Sequence, residues 1–271
     1  MRDDSPAEEK MDNEIERAAK MIVAASYVIC LAGAGISVES GIRTFRGPGG
    51  IWTENGEPTM NGFKVFKADP LKYWQGVIER YSKPSELSSA ISKAEPNPAH
   101  IALAELEKMG VLKYLITQNI DNLHQVAGNN KIAEIHGNIK KVRCIRCNAR
   151  YPRSELSLEV LPPHCPRCNG ILKGDPVMFG EPIPSDVLQI CKAESNKADC
   201  VLSIGTSALI YPAANFPKKV KATGGILIEV NLYETAITRY CDVSIRGKAA
   251  EMVPRLVDRI KSLIQRKTSE N

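Results

Sequence analysis

Residues 27–37 read Tyr-Val-Ile-Cys-Leu-Ala-Gly-Ala-Gly-Ile-Ser, an unbroken apolar run that stops at the turn Gly33-Ala34-Gly35. A short apolar stretch without alternation marks a strand buried on both faces of a parallel sheet. The first glycine permits a tight turn. The second lets the backbone approach a pyrophosphate at the N-terminus of the helix that should follow. Similar runs recur at 111–117, 200–204, 225–230 and 243–245, and His136 closes a shorter one at 132–135. Helical spacing of apolar residues covers 12–26, 98–109, 184–198 and 249–267. Strands alternating with helices predict an α/β fold, a Rossmann-like parallel sheet covered on both faces.

Two stretches break the alternation. Residues 46–95 begin rich in Gly and Pro and then carry Phe63, Phe66, Tyr73 and Trp74 in expected helices. Residues 138–174 contain Cys144, Cys147, Cys165 and Cys168, spaced C-x2-C-x17-C-x2-C. That spacing suits a tetrahedral structural zinc site, with a disulfide framework as the alternative. Four sulfur ligands leave no open coordination position, so the metal is a staple rather than a catalyst. Both stretches read as insertions forming a smaller domain, a helical segment plus a zinc ribbon. The expected division is 14–45, 96–137 and 175–267 for the discontinuous sheet domain, 46–95 for a flexible cofactor loop and helical insertion, and 138–174 for the zinc-binding module.

A 271-residue chain with 43% hydrophobic and 25% charged residues has the composition of a globular protein. No apolar run reaches the roughly 18 residues that span a bilayer. The polar stretch 1–14 lacks the apolar core of an export signal, so a cytoplasmic location is expected. Cys30, Cys191, Cys200 and Cys241 read as buried thiols in a reducing compartment. The net charge of +5 is uneven: Lys140, Lys141, Arg143, Arg146, Arg150, Arg153, Arg167 and Lys173 face only Glu155 and Glu159 within 140–173. That surplus is either a solvated face or an attraction for an acidic or nucleic-acid partner.

The glycine turn departs from a dehydrogenase fingerprint. Val38 stands where G-x-G-x-x-G has its third glycine, and the acidic residue expected about 20 positions on is missing. Instead the chain runs Ser40-Gly-Ile-Arg-Thr-Phe-Arg-Gly-Pro-Gly-Gly50, a mobile segment whose arginines can meet a phosphate. The pattern G-A-G-I-S-x-x-S-G-I-x-x-F-R-G at 33–47 resembles the signature of the sirtuins, the NAD-dependent protein-lysine deacylases. Thr117 to His124 (T-Q-N-I-D-N-L-H), His136-Gly137-Asn138, the four cysteines, Val177 to Glu181 (V-M-F-G-E), Gly205-Thr206-Ser207 and Val230-Asn231 are similar to further family motifs in the same order. The likeness spans about residues 14–263.

The resemblance implies roles for particular residues. His136 would be the general base that deprotonates a ribose hydroxyl of NAD, a task suited to an imidazole near neutral pH. Gly33, Ala34, Gly35 and Ser37 would meet the cofactor, as would Thr44, Phe45, Arg46 and Trp52 of the loop. Gln118 would contact the nicotinamide ribose. Asn119 and Asp121 would hold the carboxamide, with Ile120 as an apolar wall. Gly205, Thr206 and Ser207 would take phosphate, Asn231 the adenosine ribose and Ala249 the adenine. Val177, Phe179, Gly180 and Glu181 would form a strand that pairs with an acyl-lysine peptide. His100, His124 and His164 read as structural.

The implied reaction starts when the acyl oxygen of the modified lysine displaces nicotinamide. The neighbouring ribose hydroxyl then takes over the acyl group and water finishes the step, giving free lysine, nicotinamide and O-acyl-ADP-ribose, so that NAD is consumed. Arg43-Thr44 stands where many members have Pro-Asp, and Thr44 resembles the branch that removes succinyl groups. That branch also carries a Tyr-x-x-Arg pair to grip a carboxylate. Here the two positions fall on Val77 and Arg80, so the arginine is kept and the tyrosine lost. Tyr81 lies about 100° further around a helix and cannot substitute. Uncharged acyl groups are therefore expected over succinyl. The competing readings are an NAD-linked oxidoreductase, a zinc-ribbon nucleic-acid binder without catalysis, and a mono-ADP-ribosyl transferase.

Overall fold

In the computed structural model, which describes residues 6–269, the sheet elements follow the apolar runs closely. The first five residues of the polar N-terminal stretch lie outside the described residues. Helix α1 (Pro6–Ala24) starts earlier than the apolar pattern predicts, because acidic Glu8 and Glu9 suit a helix N-terminus. Strand β1 (Val28–Ala32) is buried at every position. Each large aliphatic side chain removed from water there contributes roughly 2 kcal/mol.

The chain then forms α2 (Ile51–Asn55), α3 (Gly62–Ala68), α4 (Pro70–Ser82) and α5 (Glu86–Lys93). It continues through α6 (Pro98–Lys108), β2 (Leu112–Thr117), α7 (Leu123–Ala127) and β3 (Ile132–Glu134). The ribbon contributes β4 (Lys141–Cys144), β5 (Arg150–Pro152) and β6 (Leu172–Gly174). After it come α8 (Ser185–Lys197), β7 (Cys200–Ile204), α9 (Asn215–Ala222), β8 (Ile226–Asn231), β9 (Val243–Arg246) and α10 (Ala249–Ser269).

The main sheet has six strands in the order β3-β2-β1-β7-β8-β9, with every pairing parallel. One face packs on α1, α6 and α10 through Ile22, Leu103, Leu106, Val253, Leu256 and Ile260. The other packs on α8 and α9 through Cys191, Phe216 and Val220. The direction of winding reverses between β1 and β7. A crevice opens at the carboxyl ends of the strands at such a switch point.

The ribbon strands form a separate antiparallel sheet, β5-β4-β6. Helix α4 packs against it. Asp69 caps the helix by accepting from Lys72 N at 2.9 Å, and Pro70 sits in its first turn. This sets Trp74 and Val77 in one core with Val142, Cys144, Cys165 and Leu172. The Trp74 indole N–H donates to the Leu172 carbonyl at 2.8 Å. The two insertions thus share a hydrophobic centre.

Candidate active site

The ends of all six main-sheet strands bring site residues together. Gly33 to Ser37 follow β1 as a 3-10 turn over Ala34–Ser40 rather than the α-helix expected. Gln118 to Asp121 follow β2, His136 follows β3, Gly205 to Ser207 follow β7, and Asn231 ends β8. Ala249, buried, opens α10 after β9. The β1 and β7 turns touch backbone to backbone, with Gly35 N donating to Gly205 O at 2.8 Å. A Cβ on Gly35 would lie 2.7 Å from the Gly205 Cα. One on Gly205, whose φ is +58°, would lie 2.4 Å from the Ile36 nitrogen. Gln118 Nε2 donates to Thr206 Oγ1 at 2.8 Å, and Asn231 Nδ2 donates to the Thr206 carbonyl at 3.0 Å. The adjoining Ser207 is half-buried.

A polar cluster forms the inner end. Ser37 Oγ donates to Asp121 Oδ2 at 2.7 Å and accepts from Asn119 Nδ2 at 3.1 Å, which also reaches the Gly33 carbonyl at 3.2 Å. Asp121 Oδ1 accepts from Leu123 N at 3.0 Å. Burial raises the pKa of Asp121, against the hydrogen bonds from Leu123 and Ser37. Ile120, half-buried between Asn119 and Asp121, accepts through its carbonyl from Ile139 N at 2.9 Å.

Sequence reasoning left His100 outside this cluster. Its Nδ1 accepts from Asn97 N at 3.3 Å, so Nε2 carries the proton and faces Ser37 Oγ at 3.5 Å. Asn97 in turn caps α6 and donates to the Ile36 carbonyl at 2.7 Å. The one sequence signal was Asn97-Pro98, a cap followed by a first-turn proline. His124 stacks edge-on against His100, with ring centroids 4.8 Å apart, and neither of its nitrogens has a hydrogen-bond partner.

His136 is half-buried, and its Nδ1 lies 3.0 Å from the Gln118 carbonyl. A carbonyl only accepts, so Nδ1 carries the proton and Nε2 keeps its lone pair for chemistry. Burial lowers the pKa of His136, and the bond to Gln118 pulls the other way. Burial also lowers His100 from 6.5 to about 4, and His124 well below 6.5 with the neighbouring His100 adding to it.

For a group whose folded pKa lies below its unfolded value, the unfolded chain binds protons first as pH falls. The stability gained by burying these rings neutral is therefore complete above about pH 6.5 and drains away toward pH 4. His100 alone accounts for about 3 kcal/mol over that window. Asp121 has the opposite sign, because its raised pKa favours the folded state on acidification. The melting temperature is expected to fall steadily between pH 6.5 and pH 4.5, and less steeply for His124→Leu. Equal slopes in the two proteins would contradict this account.

The glycine-rich loop is folded over this end of the sheet. Ile51 N and Trp52 N donate to the carbonyls of Thr44 and Phe45 at 2.9 and 2.8 Å. Trp52 packs against Phe45 and Phe179 at centroid distances of 4.6 and 5.3 Å. The Arg46 guanidinium lies over the Trp52 ring and pairs with Glu57 at 2.8 Å. Arg43 bonds Gly49 O and pairs with Glu54 and Glu86. The two loop arginines thus meet carboxylates here.

Two readings of the substrate side differ from the structure. Residues 177–181 are not a strand but an extended segment ending in a turn. It is held by Val177 N donating to His136 O at 2.9 Å and Phe63 N donating to Phe179 O at 3.0 Å. Gly180 packs so tightly on Met60 that a Cβ would lie 2.4 Å from the Met60 carbonyl. Glu181 does not point at a substrate groove. Its side chain is 2% exposed and ion-paired with Arg143 and Lys173. Val77 is buried in the ribbon core while Arg80 lies exposed on α4. Tyr81 receives Arg153 Nε at 2.6 Å and so faces the ribbon.

The cysteines answer the metal question by geometry. All eight are free thiols, and the sulfurs of Cys144, Cys147, Cys165 and Cys168 lie within 4.8 Å of one another. A tetrahedron with metal–sulfur bonds of about 2.3 Å has edges of about 3.8 Å. The Cys144–Cys168 and Cys147–Cys165 separations of 3.5 and 3.8 Å fit it. The basic surplus nearby is largely spent internally. Lys141 pairs with Glu134, Arg143 with Asp175 and Glu181, Arg150 with Asp175 and Asp186, and Lys173 with Glu181. Arg146 donates to the Cys168 carbonyl. Four of the eight basic side chains of 140–173 are thus held by the chain's own carboxylates. Among the described residues no helix is long and apolar enough to cross a membrane.

A parallel sheet with a glycine turn at its switch point, a histidine at a strand end and a four-thiolate ribbon are the architecture of a dinucleotide-binding protein with a structural metal site. The Sir2 family profile matches residues 33–212, and the chain belongs to that family. An NAD-dependent protein deacylase of Thermococcus kodakarensis is 46% identical, covering 91% of this chain and 96% of its own. A crystal structure of a Sir2 homolog–NAD complex superposes with a TM-score of 0.74 at 40% identity, covering 92% of this chain and 94% of that one. A Sir2 protein bound to a myristoylated histone peptide superposes with a TM-score of 0.67 at 34% identity, covering 94% and 99%.

Proposed function

We propose that this chain is an NAD-dependent protein-lysine deacylase that transfers the acyl group of a modified lysine to ADP-ribose and releases nicotinamide. The observation that carries the reading is the pairing, in one crevice, of the Ser37–Asn119–Asp121 cluster with a histidine whose Nε2 is free. The cluster presents amide, hydroxyl and carboxyl groups at hydrogen-bonding distance of one another, a set matched to the donor and acceptor of a carboxamide. When bound, NAD supplies the glycosidic carbon and the ribose hydroxyl that receives the acyl group. Gly33, Ala34, Gly35, Gly205, Thr206 and Ser207 would cradle its phosphates, with Arg46 leaving Glu57 to meet them. Gln118 would hold the nicotinamide ribose, and Asn231 and Ala249 the adenosine end. Thr44, Phe45 and Trp52 would close over the site and exclude water.

His136 Nε2 takes the hydroxyl proton as the acyl carbon is attacked, while Gln118 holds the ring in the required tautomer. Residues 177–180 would bind the peptide through main-chain bonds. The four cysteines would hold one structural zinc ion. Eight free thiols are consistent with a reducing cytoplasm.

Incubation with NAD and an acetyl-lysine peptide tests the reading. Nicotinamide release that depends on the acyl group is expected, with no NADH absorbance. NADH formation would instead favour an oxidoreductase. The acyl preference follows from Val77 and Arg80, which offer no paired grip for a carboxylate, so a buried succinyl charge would go unpartnered. Acetyl- and myristoyl-lysine peptides are expected to exceed succinyl-lysine in kcat/KM by about 10-fold or more, equivalent to about 1.4 kcal/mol. A dominant succinyl activity would refute that assignment.

A further inference from the structure

Asp175 and Glu181 flank the segment assigned above to the acyl-lysine peptide, and their side chains are 1% and 2% exposed. Three cations surround them. Arg143 lies 3.2 Å from Asp175 and 2.5 Å from Glu181, Lys173 lies 3.1 Å from Glu181, and Arg150 lies 3.1 Å from Asp175. Ions this deeply buried cost several kcal/mol each unless paired, so the set holds together only as a whole.

Several of its hydrogen bonds reach backbone beside the site. Glu181 Oε2 accepts from Met178 N at 2.8 Å, and Lys173 Nζ donates to the Pro176 carbonyl at 2.8 Å. Asp175 Oδ2 accepts from Asn138 N at 2.9 Å, two residues beyond His136. On the ribbon side, the Arg143 guanidinium also reaches Asn148 Oδ1 at 3.3 Å. Asn148 sits with φ at 57° next to Cys147, so one guanidinium reaches a cysteine knuckle and both carboxylates that flank the substrate segment.

We propose that Glu181 is a positioning residue: it holds residues 177–180 in place by tying them to Arg143 and Lys173 of the four-cysteine ribbon, and it does not touch substrate. This rests on the deacylase reading. The ribbon then acts on the reaction through one buried carboxylate, setting peptide affinity and leaving the dinucleotide crevice alone.

Two variants test it. Glu181→Gln removes the charge-assisted ties and leaves Lys173 short of a counter-ion, which destabilises the fold. The charge-balanced pair Glu181→Gln with Lys173→Met removes one charge of each sign and should keep the fold. Peptide KM is expected to rise about 10-fold in the double variant, as when a charge-assisted bond stops ordering a binding segment. KM for NAD should stay within about 2-fold, and the zinc content per chain should be unchanged. Anisotropy of a labelled acetyl-lysine peptide should report the same weakening without turnover. A double variant with the parent's melting temperature and the parent's peptide KM would overturn the proposal. So would loss of zinc, or an equal rise in both KM values, either of which marks a merely structural role. A parent protein that neither binds nor turns over the peptide would sink the deacylase reading together with it.

Discussion

In the His136→Ala protein, product formation from an acetyl-lysine peptide and NAD is expected to fall by about 10²- to 10⁴-fold, the usual contribution of a positioned general base. The loss should appear in kcat, with peptide KM little changed, because the ring acts on a hydroxyl and not on the peptide. In the proposed order, nicotinamide departs before the step that needs the base. Exchange of labelled nicotinamide into NAD should therefore persist in the variant while deacylation stops. Loss of both activities in parallel would mean that His136 holds the cofactor instead. The acid limb of the profile follows from the same residue. Activity needs the neutral ring and declines as pH falls through its pKa, which burial places below 6.5. The parent should thus stay active somewhat below the pH at which an exposed histidine would be half protonated.

Removing the metal is expected to be as damaging, by another route. The ribbon's fully buried apolar set is small, Val142, Leu172, Cys144 and Cys165 against Trp74 and Val77, with Ala149, Tyr151, Leu156, Leu158 and Leu161 only partly covered. Structural zinc contributes about 10–16 kcal/mol of apparent binding energy in small modules, far more than such a core supplies. Chelation, or Cys165→Ser, should release the ion and alter the near-UV signal of Trp74. It should leave most far-UV signal from the main sheet and its helices, and abolish deacylation. Full activity in protein shown by elemental analysis to be free of metal would refute the role assigned to the four thiolates.

Much of the frame was legible because burial on both faces leaves a plain signature. The runs at 27–32, 111–117 and 200–204 admit few readings other than interior strands, and each became one. Helix α9 escaped notice because Asn215-Phe-Pro-Lys-Lys-Val-Lys-Ala222 carries Pro217 in its first turn and only scattered apolar residues. In the site, strand-end residues were readable because the topology fixes where strand ends gather. What Glu181 faces was not readable, since motif order says which loop a residue occupies but not which way its side chain turns. The setting of the charges of 140–173 was hidden for the same reason. A lysine with its side chain fully buried, such as Lys173, reads in one dimension like any solvated one until its counter-ions are located.

The backbone contact between the Gly35 and Gly205 turns has a mechanical consequence. It rivets the tips of the two central strands, and side-chain bulk at either position would pry them apart. The base of the crevice is therefore expected to be its stiffest part, with the Arg43–Glu57 loop and the helical flank yielding more readily to an incoming dinucleotide. Amide exchange should be slowest at this seam and fastest along that loop, as for a hinged cover over a fixed plate.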